Sequence, residues 1–146
     1  MLIAKSGKAA SCIVVAKEAS NTEIFAAREL QTYIEKVSGA KLKITGDLHA
    51  QPQNSVFVGC KEEFHRDKFQ ETFDIKATER SLSLVGCNPR SVLFSVYTFL
   101  EEYLGCRWFA PGVAGEDVPR QKNIEIEPGF RNYTPSMAYR GMMIGT

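Results

Sequence analysis

The segment from Asn88 to Gly105 is apolar around almost its whole circumference when it is drawn as a helix. Asn88 is a favoured N-cap, Pro89 is a favoured first helical residue, and Gly105 ends the pattern. The apolar positions are Val92, Leu93, Phe94, Val96, Tyr97, Phe99, Leu100, Tyr103 and Leu104. The polar positions form a thin stripe of Ser91, Ser95, Thr98 and Glu102. A helix that is apolar nearly all round is buried nearly all round, so this segment needs a sheet on one side and a second cover on the other.

The first helix in chain order is predicted over residues 22–38, and the segment described above is the second helix. Ser20 and Glu23 have the spacing of a capping box, apolar residues recur at helical spacing, and Gly39 suits a left-handed C-cap. Short β-branched or alternating runs predict strands over residues 11–15, 42–45, 55–59, 73–77, 81–85, 106–109 and 124–126. The turn at residues 78–80 joins two of these strands as a hairpin. Strands and helices in this order predict the α+β class.

Charge and hydropathy exclude two classes of partner. The 146 residues carry a formal net charge of +1, and lysines and arginines are scattered among carboxylates. A nucleic-acid-binding protein would show a basic excess or stripe. No run approaches the roughly 18 apolar residues of a membrane span. Residues 1–5 are too short for the apolar core of a secretory signal, so the compartment stays open: secreted or periplasmic if a signal peptide was removed, otherwise cytoplasmic.

The cysteines and histidines do not have the spacing of a metal site. The cysteines are Cys12, Cys60, Cys87 and Cys106, without a C-x-x-C pair. Cys60 and Cys87 each follow a Val-Gly at the end of a strand-like run, which could bring them together at one sheet edge. They are interpreted as small buried hydrophobes, with a disulfide or a reactive thiol as the alternative. His49 and His65 lie in polar stretches and are interpreted as surface residues. No metal and no cofactor is predicted.

The acidic and aromatic residues yield no predicted catalytic residue. Glycosidases generally use two carboxyl groups that face each other across the scissile bond. Glu101 and Glu102 are adjacent on a helix and diverge, and Glu116 with Asp117 has no visible partner acid. The aromatic residues that could form a stacking platform for a sugar are Trp108, Phe109, Tyr97 and Tyr103. Packing between the sheet, the second helix and a missing neighbour is the preferred interpretation. Arg107 is expected to pair with Glu101 or Glu102, or with an aromatic ring.

The second helix also carries a resemblance to a known group of proteins. Residues 89–102 and 104–112, with Ala27-Arg28-Glu29-Leu30 and Val56-Phe57-Val58-Gly59, resemble the N-terminal accessory domain of glycoside hydrolases. Family 67 α-glucuronidases, family 20 β-hexosaminidases and related uncharacterised bacterial proteins contain this domain. The resemblance implies a mostly antiparallel sheet with two roughly parallel helices on one face. It also implies a (β/α)₈ barrel packed on the helical side, and no catalytic residue in the domain itself.

The last residues add one candidate site residue. Residues 139–143 resemble the first barrel strand of the family 20 enzymes, in which an arginine binds sugar hydroxyls, and Arg140 is the matching position. The family strand continues with an Asp and another Arg, where this chain has Ile144-Gly145-Thr146. The predicted division is an accessory domain over residues 1–127, a linker over 128–136 and a truncated first barrel strand over 137–146.

The sequence therefore predicts a non-catalytic accessory domain of a multidomain glycoside hydrolase. The chain alone is not expected to be an enzyme, although its parent protein is. Its predicted partner is its own C-terminal barrel, with carbohydrate as a candidate ligand and with self-association through an exposed apolar face. Neither nucleic acid nor a membrane is an expected partner. The alternative is a stand-alone carbohydrate-binding module.

Overall fold

A computed structural model describes residues 1–46, 54–61 and 71–137. In chain order, the elements are β1 (Leu2–Lys5), β2 (Lys8–Ala9), β3 (Cys12–Val14), α1 (Asn21–Ser38), β4 (Ile44–Thr45), β5 (Ser55–Cys60), β6 (Phe73–Ala77), β7 (Ser81–Gly86), α2 (Pro89–Glu102), β8 (Arg107–Trp108), a 3₁₀ turn (Val113–Gly115), β9 (Glu116–Asp117), β10 (Ile124–Glu125) and β11 (Gly129–Tyr133). The predicted hairpin is confirmed, because β6 and β7 pair across residues 78–80.

Among the described residues, the main sheet has six strands in the order β11-β6-β7-β5-β3-β4. It is mixed: β4, β3, β5 and β7 run parallel, and β6 and β11 run antiparallel to their neighbours. Two small antiparallel sheets, β10-β1-β2 and β8-β9, complete the fold. Five of the eight pairings between described strands are antiparallel. The α+β prediction is confirmed. Both helices contact β5 and each other, so they lie side by side on one face of the main sheet.

Both helices begin where the sequence predicts, because each carries its own cap. At α1, the Glu23 backbone N–H donates to Ser20 Oγ at 3.3 Å and the Ser20 backbone N–H donates to Glu23 Oε2 at 2.8 Å. At α2, Asn88 and Ser91 form the same reciprocal pair. These bonds satisfy backbone donors that a helix start would otherwise leave unpaired. Gly39 ends α1 in the left-handed conformation, as predicted.

The buried face of α2 differs from the prediction in one respect. The serines of its polar stripe are buried against the sheet: Ser91 and Ser95 are inaccessible to solvent. Ser95 satisfies its hydroxyl within the helix by donating to the Val92 carbonyl at 2.7 Å. The opposite side carries Leu93, Phe94 and Tyr97, which stay half-buried. The small Ser91 allows the first turn of the helix to approach the sheet, and Leu93, Phe94 and Tyr97 lie on the outer side.

The approach of α2 to β7 is very close at Gly86. A Cβ atom at this position would lie 2.3 Å from Ser91 Oγ and 2.5 Å from the Val92 backbone nitrogen. Real Cβ atoms do not come so near to backbone atoms. Gly86 is therefore the residue that allows the first turn of α2 to rest on the end of β7.

One hydrophobic core fills the space between the sheet and the helices. The sheet contributes Val56, Val58, Ile75, Leu82 and Leu84 among its buried residues. The helices contribute Leu30, Ile34, Val92, Val96 and Phe99. Phe99 is fully buried and is the largest of the fully buried side chains. Packing of the helices on this core fixes the position of two surfaces. One is the outer side of the helices, and the other is the flank of α2 that faces β11.

Residues 128–136, predicted as a linker, contain strand β11. Gly129–Tyr133 pairs with β6 over its full length, with Arg131 opposite Ile75 and Tyr133 opposite Phe73. The strand lies at the edge of the main sheet, and residues 129–132 are exposed. None of the described helices is long and apolar enough to cross a membrane.

Candidate functional site

Trp108 joins the β8-β9 hairpin to both helices. Its indole Nε1–H donates to Tyr33 Oη at 2.9 Å. Its ring meets Tyr33 and Tyr97 edge to face, with centroid distances of 5.2 and 5.3 Å. Edge-to-face packing is a favoured geometry for aromatic pairs, and a partly buried indole N–H needs an acceptor. The hairpin therefore lies across the outer side of α1 and α2, with Trp108 between them.

A charged network anchors the other strand of the hairpin. Glu116 accepts from Tyr33 Oη at 2.6 Å and from Lys36 Nζ at 2.8 Å. The hydrogen bond from Lys36, followed by that from Tyr33, lowers the pKa of Glu116 below its ordinary range. Burial and the neighbouring carboxylate raise the pKa of Tyr33. Glu116 is thus held ionised as a structural anchor, and as the partner of Lys36 it does not resemble a catalytic acid.

The remaining aromatic residues of the predicted platform have other environments. Tyr97 Oη donates to Glu29 Oε2 at 2.7 Å, and burial together with that carboxylate raises the pKa of Tyr97 strongly. Tyr103 stacks on Phe99, 5.2 Å between centroids. Phe109 differs from all of these because 77% of it is exposed. Trp108, Tyr97 and Tyr103 are engaged within the domain and do not form an open stacking surface.

The loop between β8 and β9 presents apolar side chains to solvent. Phe109 and Val113 are 77% and 81% exposed. The loop is nevertheless ordered by its own backbone: the Phe109 N–H donates to the Gly115 carbonyl at 2.8 Å, and the Gly115 N–H donates to the Gly112 carbonyl at 3.0 Å. Phe25 on α1 is a second exposed ring, 48% accessible. We call Phe109 and Val113, which share the β8-β9 loop, the outer apolar surface.

A groove of about 650 Å³ runs along the other flank of α2. Its helix wall includes Phe94, Tyr97, Thr98 and Glu101, and its opposite wall is formed by β6, β11 and the residues next to them. Tyr133 stacks on Phe73 at 4.7 Å between centroids with the rings 13° from parallel. The volume lies in the range that small-molecule sites occupy. The sequence prediction missed this groove, because β11 was interpreted as a linker.

A second cavity, of about 470 Å³, lies where the parallel strands β5 and β7 end and both helices begin. Cys60 and Cys87 line it, which confirms that they share one sheet edge. Open α/β sheets often bind ligands at such an edge. Here, the capping residues already accept hydrogen bonds from backbone N–H groups at the start of each helix. Burial disfavours ionisation of Glu23, but hydrogen bonds from Ser20 and from the Cys60 backbone outweigh it and lower the Glu23 pKa.

The cysteines have the environments of packed residues. All four are thiols and not disulfides, and Cys12, Cys87 and Cys106 are buried while Cys60 is half-buried. Burial raises the pKa of Cys12 and of Cys106, which disfavours the reactive thiolate. Within the described ranges, no group of three or more His, Cys, Asp or Glu residues could hold a metal ion.

The other residues considered from the sequence are placed as follows. Glu101 lies 4.0 Å from Arg107, as predicted, and Arg107 also donates to the Glu101 carbonyl at 2.7 Å. Glu102 accepts from Arg131 at 2.9 Å and from Tyr133 Oη at 2.5 Å. The two carboxylates therefore have separate partners. His49, His65 and Arg140 lie outside the described residues.

Comparison with known proteins identifies the fold through solved structures. No protein-family model and no curated protein matches the chain. The fold superposes over 92% of the chain on a family GH115 4-O-methyl-α-glucuronidase with specificity for decorated arabinogalactans, with a TM-score of 0.64 and 13% identity. It superposes over 62% of the chain on a GH138 enzyme targeting pectin rhamnogalacturonan II, with a TM-score of 0.50 and 14% identity. The chain shares its fold with a part of these glycoside hydrolases.

The matched part is small in each neighbour. The chain spans 18% of the GH115 structure and 10% of the GH138 structure. At these identities the likeness concerns the fold alone. It agrees with the glycoside hydrolase resemblance of the sequence at that level, and the named neighbours belong to families other than 67 and 20.

Proposed function

We propose that this chain is a non-catalytic accessory domain of a multidomain glycoside hydrolase and that it packs against the catalytic barrel of the same polypeptide. The observation that carries the proposal is the outer apolar surface. An ordered loop holds Phe109 and Val113 in solvent. Exposed apolar groups on a rigid support are typical of a surface that another protein or domain covers.

The comparisons support the same proposal. Both solved neighbours are glycoside hydrolases, and this fold accounts for a minor share of each. The family 67 or family 20 relationship remains a finer proposal, based on the α2 sequence. So does the division into an accessory domain, whose main sheet includes β11 up to Tyr133, and a barrel strand over 137–146. Arg140 would contact sugar hydroxyls only within the completed barrel.

The acidic residues support a non-catalytic role. A glycosidase needs one carboxyl group as an acid and a second as a nucleophile or base. Among the described residues considered for this, Glu116 is bound by Lys36 and Tyr33, and Glu101 and Glu102 each have an arginine partner. No specific observation favours the alternative module built around Trp108, because that side chain is engaged by Tyr33 and Tyr97.

Two measurements test the proposal. The purified chain should not hydrolyse aryl glycosides or aryl glucuronides, and measurable turnover would reject a non-catalytic role. In a polypeptide that joins this chain to the proposed catalytic barrel, Phe109→Ser with Val113→Ser should increase protease cleavage at the junction. Phe130→Ser, an exposed aromatic residue on β11, is the matched control and should leave cleavage unchanged. Equal cleavage in all three proteins would contradict docking through the outer apolar surface.

A further inference from the structure

The groove between α2 and β11 has no role in the proposed docking. The outer apolar surface lies on the β8-β9 loop, whereas the groove lies between α2 and the strands β6 and β11. Its helix wall is Phe94, Tyr97, Thr98 and Glu101, and its far wall includes Tyr133 and Thr134. Phe109 and Val113 are not among its lining residues.

The groove combines aromatic rings with uncharged hydrogen-bonding groups. Phe94, Tyr97 and Tyr133 are half-buried, with Arg90 over one face of Phe94 at 5.4 Å and Phe73 stacked on one face of Tyr133. Thr98 brings a hydroxyl group that can donate and accept a hydrogen bond, and the Thr134 hydroxyl, which donates to Asn132 Oδ1 at 2.9 Å, can still accept one. The sides of the groove are therefore apolar at the rings and polar between them.

The carboxylates of the groove are already balanced by arginines. Arg90 Nε lies 3.4 Å from Glu71 Oε1, and Arg107 Nη1 lies 4.0 Å from Glu101 Oε1. Beside the groove, Arg131 binds Glu102 in the same way. Each pair offers both donors and acceptors at nearly zero net charge. An anionic ligand would have to displace a carboxylate from its arginine, and a cationic one would have to displace an arginine from its carboxylate.

An apolar occupant fits no better. A hydrophobic peptide seated here would cover the threonine hydroxyls and the carboxylates without offering them hydrogen bonds, and burial of unpaired polar groups is costly. A ligand that suits these surfaces is neutral, rich in hydroxyl groups and apolar on the faces of its rings.

The geometry points to a carbohydrate-binding site in this groove, with a short neutral oligosaccharide as the ligand. The rings of Phe94 and Tyr133 would contact the C–H faces of the sugar. Thr98, Thr134 and the Glu–Arg pairs would bind its hydroxyls. A cavity of about 650 Å³ accommodates a few sugar units. This site differs from the platform around Trp108, whose indole N–H is engaged by Tyr33.

Saturation-transfer NMR tests the site with the chain as it stands. The probes are neutral xylo-, cello-, manno- and galacto-oligosaccharides at millimolar concentration, with glucuronic acid as an anionic comparison. At least one neutral probe should receive saturation, and glucuronic acid should not. Absence of transfer to every neutral probe, or transfer to glucuronic acid alone, would overturn the assignment.

Variants locate the bound sugar. Phe94→Ala should weaken binding roughly tenfold, since it removes an aromatic contact. Thr98→Trp should abolish binding by filling the groove, and it leaves the surrounding packing in place if Phe94→Ala proves unstable. Phe25→Ala is the matched control, because it removes an exposed ring outside the groove, and it should bind like the parent chain. Binding that survives Thr98→Trp, or that is lost in Phe25→Ala, would contradict the site.

Discussion

The two sides of α2 are stabilised by different means. On the inner side, Val92, Val96 and Phe99 pack into the hydrophobic core, and their side chains have no polar atom that needs a hydrogen-bond partner. The outer side carries aromatic rings whose polar atoms are fixed by named acceptors, as Tyr97 is by Glu29. Inner contacts depend on volume, and outer contacts depend on hydrogen-bond geometry. The inner side therefore determines whether the chain folds, and the outer side determines how the β8-β9 hairpin is held.

The largest expected difference is in the free energy of unfolding, between one substitution on each side of α2. Phe99→Ala should lower the free energy of unfolding by about 3–5 kcal/mol, because it leaves a cavity in a close-packed core. Phe94→Ala, on the half-buried outer side, should cost about 1 kcal/mol. Urea unfolding followed by circular dichroism measures both. Equal losses would mean that the two sides contribute in the same way.

Gly86→Ala tests the close approach on the inner side. The added methyl would meet Ser91 and the backbone of α2, so we expect a loss of about 1–3 kcal/mol from overpacking. Gly129→Ala is the control, since a Cβ there meets nothing within 4 Å. A Gly86→Ala protein as stable as the control would show that α2 can move away from β7 without penalty.

Tyr33→Phe tests the hydrogen-bond geometry of the outer side. The variant leaves Trp108 Nε1–H without its acceptor and Glu116 without one donor, so unfolding should become easier by about 1–2 kcal/mol. The emission of the single tryptophan should shift to longer wavelength. Tyr133→Phe removes a hydroxyl whose bond to Glu102 is exposed, and its effect should be smaller. If emission is unchanged in Tyr33→Phe, the bond does not position the indole.

Acid should loosen the outer side before the inner one. The folded-state pKa of Glu116 lies below its ordinary value of 4.5, so its contribution to stability is present above that pH. It is lost as the pH falls through the folded-state pKa. Trp108 fluorescence should change in that range while circular dichroism stays constant. Glu116→Gln should lack this step, and a step of equal size in that variant would assign the change to another group.

The smallest expected effect on stability belongs to the outer apolar surface. Phe109→Ser should change the free energy of unfolding by no more than about 0.5 kcal/mol, since the ring is largely exposed. It should, however, reduce the self-association and the hydrophobic-dye binding that we expect of the isolated chain. Analytical ultracentrifugation and dye fluorescence provide the two readouts. A parent chain that is monomeric and binds no dye would contradict the expectation.

Local signals in the sequence predicted the helices well. The start of α1 is recognisable from Ser20 and Glu23, which cap it and lie three residues apart. The start of α2 is recognisable from Asn88, its cap, and from Pro89, its first helical residue. Because these residues are close in the chain, the sequence alone contains the whole interaction. The hairpin of β6 and β7 was predictable for the same reason. Cys60 and Cys87 were placed at one edge because each follows its strand directly.

Features that depend on distant pairing were not predictable in the same way. β1 and β11 have few β-branched residues, and they are strands because β10 and β6 lie beside them. The burial of Ser91 and Ser95 follows from how closely α2 meets the sheet, which hydropathy along the chain does not record. The groove needs both α2 and β11, so it became visible only once the pairing of β11 with β6 was known.

The pairing of Leu2 with Glu125 also constrains the order of events during synthesis. A ribosome adds roughly 5–20 residues per second, so β1 waits roughly ten seconds for its partner β10 to be made. In that interval β1 can pair only with β2, and Ile3, which is fully buried in the finished fold, lacks the cover that β10 brings. The edge of β1 that later binds β10 is thus unpaired while translation is under way.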